Sequence, residues 1–157
     1  MSRTSTACAV CEQNSGERPV PGGVVFENAL WMVFAAPRNG VAGWMMLHAR
    51  RHVPGPAHFS DVEAASFGPT LRHLELALEG ITGALRVYTA AMGESFPHFH
   101  CHMVPRYRDM PNEASGWSVF DLPRLAAEGA IPVDPIESLR VADAFKERLR
   151  TDPPPSV

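Results

Sequence analysis

The chain has 157 residues, a length typical of one domain, and 45% of them are apolar, which is enough to form a buried core. Its formal net charge is -3 and its pI is near 6.1, which argues against the basic surface that nucleic-acid binding requires. The sequence has no apolar run long enough to span a membrane and no signal-peptide core at its start. We therefore expect a cytoplasmic protein with neither a nucleic-acid partner nor a membrane partner.

The three cysteines do not form a disulfide framework, because their number is odd and small for a chain of this length. Cys8 and Cys11 form a C-x-x-C pair, and Cys101 lies within a row of histidines. Residues 12–23 are rich in turn formers and predict a loop.

Short apolar runs predict three strands in the next part of the chain. The first two cover residues 24–27 and 30–35 and are joined by a turn at 28–29. The third covers residues 43–48 and reads as buried, since most of it is apolar. The sequence therefore begins as a set of strands with short links.

A long helix follows. Ser60 and Glu63 form a capping box, in which each side chain satisfies a free amide of the first helical turn. Pro69 lies inside the pattern and predicts a kink or a split, and Gly80 or Gly83 should end the helix. The apolar stripe of this helix comprises Val62, Ala65, Leu71, Leu74 and Leu78.

Two more strands and an irregular segment complete the chain. Residues 85–91 predict a strand, and a turn at 92–95 leads into the histidine row. Strands with short links around one helix indicate an α+β domain with an antiparallel sheet. We expect one domain over residues 1–150, with a C-terminal extension over 108–150 and a disordered tail over 151–157.

The extension carries its own signals for burial and for a helix. Trp117 and Phe120 give its irregular part an apolar surface to bury. Asp134 and Pro135 begin a final helix, as a capping residue followed by proline at the first helical position. The apolar face of that helix comprises Leu139, Ala142, Phe145 and Leu149.

The most informative feature is the alternation of histidine with apolar residues at 98–102. On a strand, His98, His100 and His102 would share one face, and Phe99, Cys101 and Met103 would share the other. Imidazole titrates near neutral pH and acts as a general acid, a general base, a nucleophile or a metal ligand. A functional site is favoured over a structural histidine network, because ionisable residues are rare in cores.

The row His98-x-His100-x-His102, followed by Met-Val-Pro-Arg at 103–106, resembles the signature of the histidine triad (HIT) family of nucleotide hydrolases and transferases. The resemblance covers residues 8–107 and includes the C-x-x-C pair, the strands at 24–34 and the strand leading to His52. It implies a HIT-like fold, a five-stranded antiparallel sheet with two main helices. It also implies a homodimer in which two sheets become continuous.

The resemblance implies a role for each site residue. In the family the middle histidine, here His100, attacks the α-phosphate of a nucleotide and forms a nucleotidyl-histidine that water resolves. His98 and His102 would orient the ring and bind phosphate oxygens. The turn formed by Gly93, Glu94 and Ser95 would bind the phosphate through backbone amides and the Ser95 hydroxyl. Phosphoramidates, dinucleoside polyphosphates and other nucleotidylated small molecules are the implied substrates.

Several positions depart from the family pattern. Ala36 stands where the family usually has a ribose-binding Asp or Asn, and Glu94 replaces a Gln. Trp44 replaces a usual His, and the loop before the triad is shortened to residues 89–92. These changes weaken the inference to an ordinary purine nucleotide and leave the chemistry at His100 intact.

A metal site is also implied by the resemblance. Cys8, Cys11, His52 and His98 correspond to a zinc site of some family members, and two thiolates with two imidazoles suit tetrahedral Zn²⁺. A structural zinc is the expectation, with no organic cofactor, and a pair of free cysteines is the alternative.

Three histidines outside the triad and the metal set receive a simpler interpretation. His58 lies in a loop and His73 on a helix beside Arg72, where solvated side chains are expected. His48 ends a strand, from which it could face the site, but the simpler interpretation is preferred and it is not assigned to the site.

Two other classes of function stay open from the sequence. One is a nucleotide-binding regulatory module with little catalysis, which the residues Ala36 and Glu94 motivate. The other is a metalloenzyme in which the triad itself binds the metal.

Overall fold

The computed structural model describes residues 8–156. Residues 1–7 of the predicted domain and residue 157 of the predicted tail lie outside the described residues. Within residues 8–156, five strands form one antiparallel sheet in the order β1-β2-β3-β5-β4, which confirms the predicted α+β fold. The strands are β1 (Val24–Glu27), β2 (Trp31–Ala35), β3 (Met45–Ala49), β4 (Arg86–Ala90) and β5 (His100–Arg106).

Within the described part of the chain, four α-helices accompany the sheet. They are α1 (Ala9–Ser15), α2 (Asp61–Thr82), α3 (Leu122–Ala127) and α4 (Pro135–Thr151). The two long helices, α2 and α4, pack against each other and against one face of the sheet. None of the helices in the described residues is long and apolar enough to cross a membrane.

Helix α2 begins where the capping box predicts. The Ser60 hydroxyl accepts a hydrogen bond from the Glu63 amide, and the Glu63 carboxylate accepts one from the Ser60 amide. The helix ends at Gly83, which adopts a left-handed conformation with φ 65°. Both ends of this helix are therefore fixed by local chemistry visible in the sequence.

Pro69 does not split α2, so the split that was one of its two expected effects is wrong. The helix is continuous from Asp61 to Thr82. Proline at 69 leaves the Ala65 carbonyl without its helical partner, and both residues are exposed, so solvent can hydrogen bond that carbonyl. The predicted apolar stripe is confirmed in the second half of the helix, where Leu74 and Leu78 are fully buried and Leu71 packs against the core.

The first half of α2 buries polar residues instead of the predicted Val62 and Ala65, which are exposed. Ser66 and Thr70 are buried, and the Ser66 hydroxyl accepts a hydrogen bond from the Trp31 indole at 2.9 Å. In α4, Leu139 of the predicted apolar face is 44% exposed, whereas Phe145 is fully buried.

The second face of the sheet is covered in two parts. Residues of the extension, including Val119 and Leu122, pack over Trp44 and Val104 near one end of the strands. Helix α1 lies near the other end, where the Asn14 side chain donates a hydrogen bond to the Ala49 carbonyl at 2.7 Å. The functional residues lie between these two coverings.

The residues predicted to be a disordered tail begin with Thr151, the last residue of α4. The carbonyl of Asp152 accepts a hydrogen bond from His73 Nε2 at 2.8 Å, and Pro154 is buried. Residues 151–154 are thus packed against the domain, and His73 has a protein partner.

Candidate active site

The part of the second sheet face between these two coverings carries three imidazoles from two neighbouring strands. His100 and His102 alternate with the buried Cys101 and Met103 on β5, as the strand pattern predicts. His48 on β3 lies directly opposite His100 in the register of the sheet. Directly opposed residues of an antiparallel pair share one face, so His48 joins the two triad histidines.

His98 lies just before the paired part of β5, and its ring has partners other than His100 and His102. Strand β5 begins at His100, and His98 lies before it in a bend of the chain. The fully buried His98 ring lies beside the cysteines, with Nδ1 at 3.5 Å from the Cys8 sulfur and 3.4 Å from the Cys11 sulfur. Its contribution to the imidazole cluster is its backbone carbonyl.

That carbonyl fixes the protonation pattern of His100. His100 Nδ1 lies 2.8 Å from the His98 oxygen. A carbonyl only accepts hydrogen bonds, so Nδ1 carries the proton in this contact. In a neutral His100 ring, Nε2 is therefore unprotonated and keeps a lone pair for nucleophilic attack.

Trp44 fixes His102 in the opposite tautomer. The indole Nε1–H can only donate, and it lies 3.1 Å from His102 Nδ1. Burial, and next the neighbouring His100, lower the pKa of His102 to about 4, so the ring is neutral at pH 7. His102 therefore carries its proton on Nε2, where it serves as a hydrogen-bond donor.

Aromatic contacts hold the His102 ring in place. Trp44 and Phe120 each contact it edge to face, with ring centroids at 5.7 and 5.8 Å. Trp44 and Phe120 also contact each other at 6.0 Å. The extension thus reaches the site through Phe120, whereas Trp117 is 85% exposed beside it.

His48 is also a neutral imidazole. Its side chain is 2% exposed, and its ring lies 6.2 Å from His100 and 4.7 Å from Phe34 between centroids. Burial, followed by the nearby triad histidines, lowers the pKa of His48 to about 3. Its Nδ1 atom is buried without a hydrogen-bond partner among the described residues.

A cavity of about 320 Å³ opens over these imidazoles. The sheet forms its floor, and α1 with the following loop forms a wall. The lining residues are Ala9, Val10, Gln13, Arg18, Pro21, Phe34, Ala36, Asn39, Met46, Phe96, His48, His100 and His102. Apolar walls with a few convergent polar groups are typical of small-molecule sites.

A smaller cavity of about 70 Å³ borders the other side of His100. Gly93, with φ 75°, lines it together with residues 54–56. Glu94 and Ser95 are exposed and line neither of these two cavities, while Phe96 lines the larger one. The turn predicted to bind phosphate therefore adjoins His100 through Gly93.

The four predicted metal ligands lie together beside this site. The ligand atoms of Cys8, Cys11, His52 and His98 all lie within 4.8 Å of one another. The Cys11 sulfur is 3.3 Å from His52 Nδ1. Zn–S and Zn–N bonds of about 2.3 and 2.0–2.1 Å at a tetrahedral angle place S and N about 3.5 Å apart, in agreement with the observed distances.

The hydrogen bonding of His98 also fits a metal ligand. Its Nε2 lies 2.8 Å from the Ala49 carbonyl and therefore donates, which leaves the Nδ1 lone pair facing the sulfurs. Burial, and then the hydrogen bond with Cys8, raise the pKa of Cys11 to about 11. A divalent cation would favour the thiolate, because coordination deprotonates a thiol.

In the part of the chain that the structure describes, these four residues are the one group of at least three His, Cys, Asp or Glu side chains close enough to hold a metal. Among the described residues, the three triad histidines do not form a second such group. A metal held by all three triad histidines therefore loses its geometric basis.

Comparison with known proteins identifies the fold. No family model matches the sequence, and no curated protein matches it. A Zn-bound histidine triad family protein from Mycobacterium smegmatis superposes with a TM-score of 0.66 at 18% identity, over 94% of this chain and 99% of that one. The chain has the histidine triad (HIT) fold.

Two further solved structures of histidine triad proteins share the fold of this chain. A Hit-like protein from Bartonella henselae, described as involved in cell-cycle regulation, gives a TM-score of 0.66 at 13% identity, over 93% of this chain and 98% of that one. A hypothetical histidine triad nucleotide-binding protein from Sulfolobus tokodaii gives 0.62 at 12% identity, over 93% and 97% of the two chains. The extension is therefore included in the matched length.

Within this HIT fold, sequence reasoning missed several lining residues. The position of His48 in the site follows from the register of β3 against β5, and the sequence alone does not give that register. Gln13, Arg18 and Asn39 line the cavity from loops and from α1, with no motif to mark them. Phe120 had a signal as an apolar residue of the extension, but its contact with His102 is tertiary.

Proposed function

We propose that this protein is a member of the HIT family that acts on the α-phosphate of a nucleotide, as a hydrolase or nucleotidyl transferase, with His100 as the nucleophile. The observation that carries the proposal is the hydrogen bond from His100 Nδ1 to the His98 carbonyl, because it leaves Nε2 free beside a cavity. The neutral partner His102 supports it, since a donor beside the nucleophile can bind a phosphate oxygen.

The reaction takes place in two displacements. The lone pair of His100 Nε2 attacks the α-phosphorus, and the bond to the leaving group breaks with its electron pair going to that group, which takes up a proton. Water then attacks the phosphorus of the nucleotidyl-histidine. The P–N bond breaks, its electron pair returns to Nε2, and the proton of the water is released.

The residues around His100 have supporting roles in this proposal. His102 Nε2–H donates to a non-bridging phosphate oxygen, and backbone amides of the 93–95 turn and the Ser95 hydroxyl complete the phosphate site. Glu94 is the middle residue of this turn, and its side chain is exposed. The leaving group is an amine in phosphoramidates and a nucleoside phosphate in dinucleoside polyphosphates.

Zinc is proposed as a structural metal held by Cys8, Cys11, His52 and His98. The sulfur–nitrogen distances and the free Nδ1 of His98 fit such a site, and the Mycobacterium smegmatis neighbour is described as Zn-bound. Bound zinc would link α1 to the sheet. It would thereby hold the α1 wall of the cavity and the His98 carbonyl in position. Two thiolate ligands suit a reducing compartment such as the cytoplasm.

A homodimer is proposed through strand β4. This strand is an edge of the sheet, and the exposed apolar side chains Leu76 and Leu85 lie on the elements next to it. Pairing of two β4 strands would make one continuous sheet and satisfy the free edge.

The test is steady-state hydrolysis of adenosine and guanosine phosphoramidates and dinucleoside polyphosphates by the wild type and His100→Asn. The expected result is turnover by the wild type and a loss of at least about 10³-fold in the variant, with an unchanged melting temperature. His73→Asn, which alters an imidazole far from the cavity, is the matched control. Nucleotide binding without turnover of any substrate would favour the regulatory-module alternative.

A further inference from the structure

His48 occupies a position for which the fold has no structural need of an imidazole. Its side chain lies in one row of the sheet between Met32 on β2 and His100 on β5. Neighbours across such a row have Cβ atoms about 4.5–5.5 Å apart. His48 is therefore the direct neighbour of the proposed nucleophile on the face that lines the cavity.

The hydrogen-bonding capacity of His48 is unused within the described residues. The ring packs against Phe34 and faces His100, and the buried Nδ1 has no partner there. Burying a polar atom without a partner lowers stability, and an apolar side chain would fill the same space without that cost. An unpaired polar atom beside a cavity indicates a group that becomes paired when ligand binds.

We propose that His48 is a specificity-determining residue that hydrogen bonds a sugar hydroxyl of the nucleotide, an inference that rests on the proposed function. On the floor of the cavity, Phe34, Ala36 and Met46 offer no hydrogen-bonding side chain. In the proposed function, His102 donates to the phosphate. Close to the reacting phosphorus, a nucleotide offers phosphate oxygens and sugar hydroxyls.

The hydroxyl is the better partner for His48. The ring is neutral at pH 7, so it has one donor and one acceptor nitrogen. A hydroxyl both donates and accepts, and it therefore pairs with either nitrogen of a neutral imidazole. A phosphate oxygen accepts only, and its negative charge is better met by several donors, as the 93–95 turn and His102 provide.

The experiment compares ribose, 2′-deoxyribose and 3′-deoxyribose forms of the same adenosine phosphoramidate with the wild type and His48→Leu. With the ribose substrate, kcat/KM should fall about 5- to 30-fold in His48→Leu, the size of one lost hydrogen bond. With the analogue that lacks the bound hydroxyl, wild type and His48→Leu should have the same kcat/KM, because the loss of the hydroxyl and the loss of the imidazole remove the same contact.

Two further variants identify the atom and control for packing. The amide of His48→Asn overlays Nδ1 and that of His48→Gln overlays Nε2, so the variant that restores ribose preference identifies the nitrogen that binds. Met32→Leu, which changes the packing of the other neighbour in the row, should leave the preference for ribose unchanged.

The outcomes separate this inference from the proposed function. If turnover depends on His100, but His48→Leu prefers ribose over the deoxy sugars as strongly as the wild type does, the inference about His48 is overturned and the proposed function stands. Binding of adenosine monophosphate and its deoxy forms, measured by calorimetry, provides an arm that needs no turnover. A ribose preference in binding that His48→Leu abolishes would support the inference even without catalysis, and equal affinities in the wild type would overturn it.

Discussion

Replacement of Trp44 by phenylalanine tests whether a hydrogen bond sets the tautomer of His102. The change removes the indole N–H that lies 3.1 Å from His102 Nδ1, and it retains an aromatic ring against Phe120. Leaving the buried Nδ1 unpaired costs about 1–3 kcal/mol. A loss of about 2 kcal/mol lowers the melting temperature of a domain of this size by about 4–8 °C.

Trp31→Phe is the matched control for that loss of stability. Trp31 is also fully buried, and its indole donates one hydrogen bond, to the Ser66 hydroxyl at 2.9 Å. Both variants should therefore melt at similarly reduced temperatures. Only Trp44→Phe should lower kcat, by about 10- to 100-fold, because a small displacement of a group that contacts the phosphate has effects of this size.

Nitrogen NMR of the histidine rings provides the direct readout. In the wild type, His102 should have an unprotonated Nδ1 and a protonated Nε2. The Nδ1 resonance should move in Trp44→Phe, since its donor is lost, and stay unchanged in Trp31→Phe. Equal effects of the two variants on kcat, or an unchanged Nδ1 resonance, would refute the reasoning.

Further predictions concern the metal, two glycines and pH. The purified protein should carry about one zinc per chain by elemental analysis, and Cys11→Ser should lose it and melt at a lower temperature. Gly43→Ala should destabilise by about 1–3 kcal/mol in denaturant melts, since Gly43 has φ 81° and a Cβ there would lie 3.1 Å from two side-chain carbons. Gly80→Ala, inside α2 with open space around it, should stabilise by about 0.5–1 kcal/mol instead. The pKa of Glu63 is lowered in the folded protein, above all by hydrogen bonds from Arg51. The ionised Glu63 carboxylate therefore stabilises the fold above its unfolded pKa of about 4.3, and this stabilisation is lost as pH falls through the lower folded pKa. The difference in melting temperature between wild type and Glu63→Gln should therefore be largest at neutral pH and shrink below about pH 4; a constant difference would contradict this cause.

Local signals in the sequence predicted much of the fold. The capping box at Ser60, the C-terminal glycine at 83 and the apolar strands all depend on neighbours in the chain, and the structure confirms them. Pro69 was harder to interpret, because its effect depends on whether the free carbonyl of the preceding turn faces solvent, which is a tertiary property.

The candidate site was only partly predictable for a similar reason. The alternation of His100 and His102 follows from strand geometry, and the cluster of the four metal ligands was expected from the resemblance. The departure of His98 from the strand could not be predicted, since a period of two residues holds only within the paired region. The place of His48 depends on the register between strands that are about 50 residues apart in sequence.

The measurement that tests the central claim most directly is the location of the covalent adduct. The wild type and His100→Ala would be quenched at neutral pH during turnover of an adenosine phosphoramidate and analysed by intact-mass spectrometry and by phosphorus–nitrogen NMR of the adduct. The account predicts a nucleotidyl group in the wild type only, bonded to Nε2 of His100. Turnover by His100→Ala at the wild-type rate, or an adduct on another residue, would contradict it.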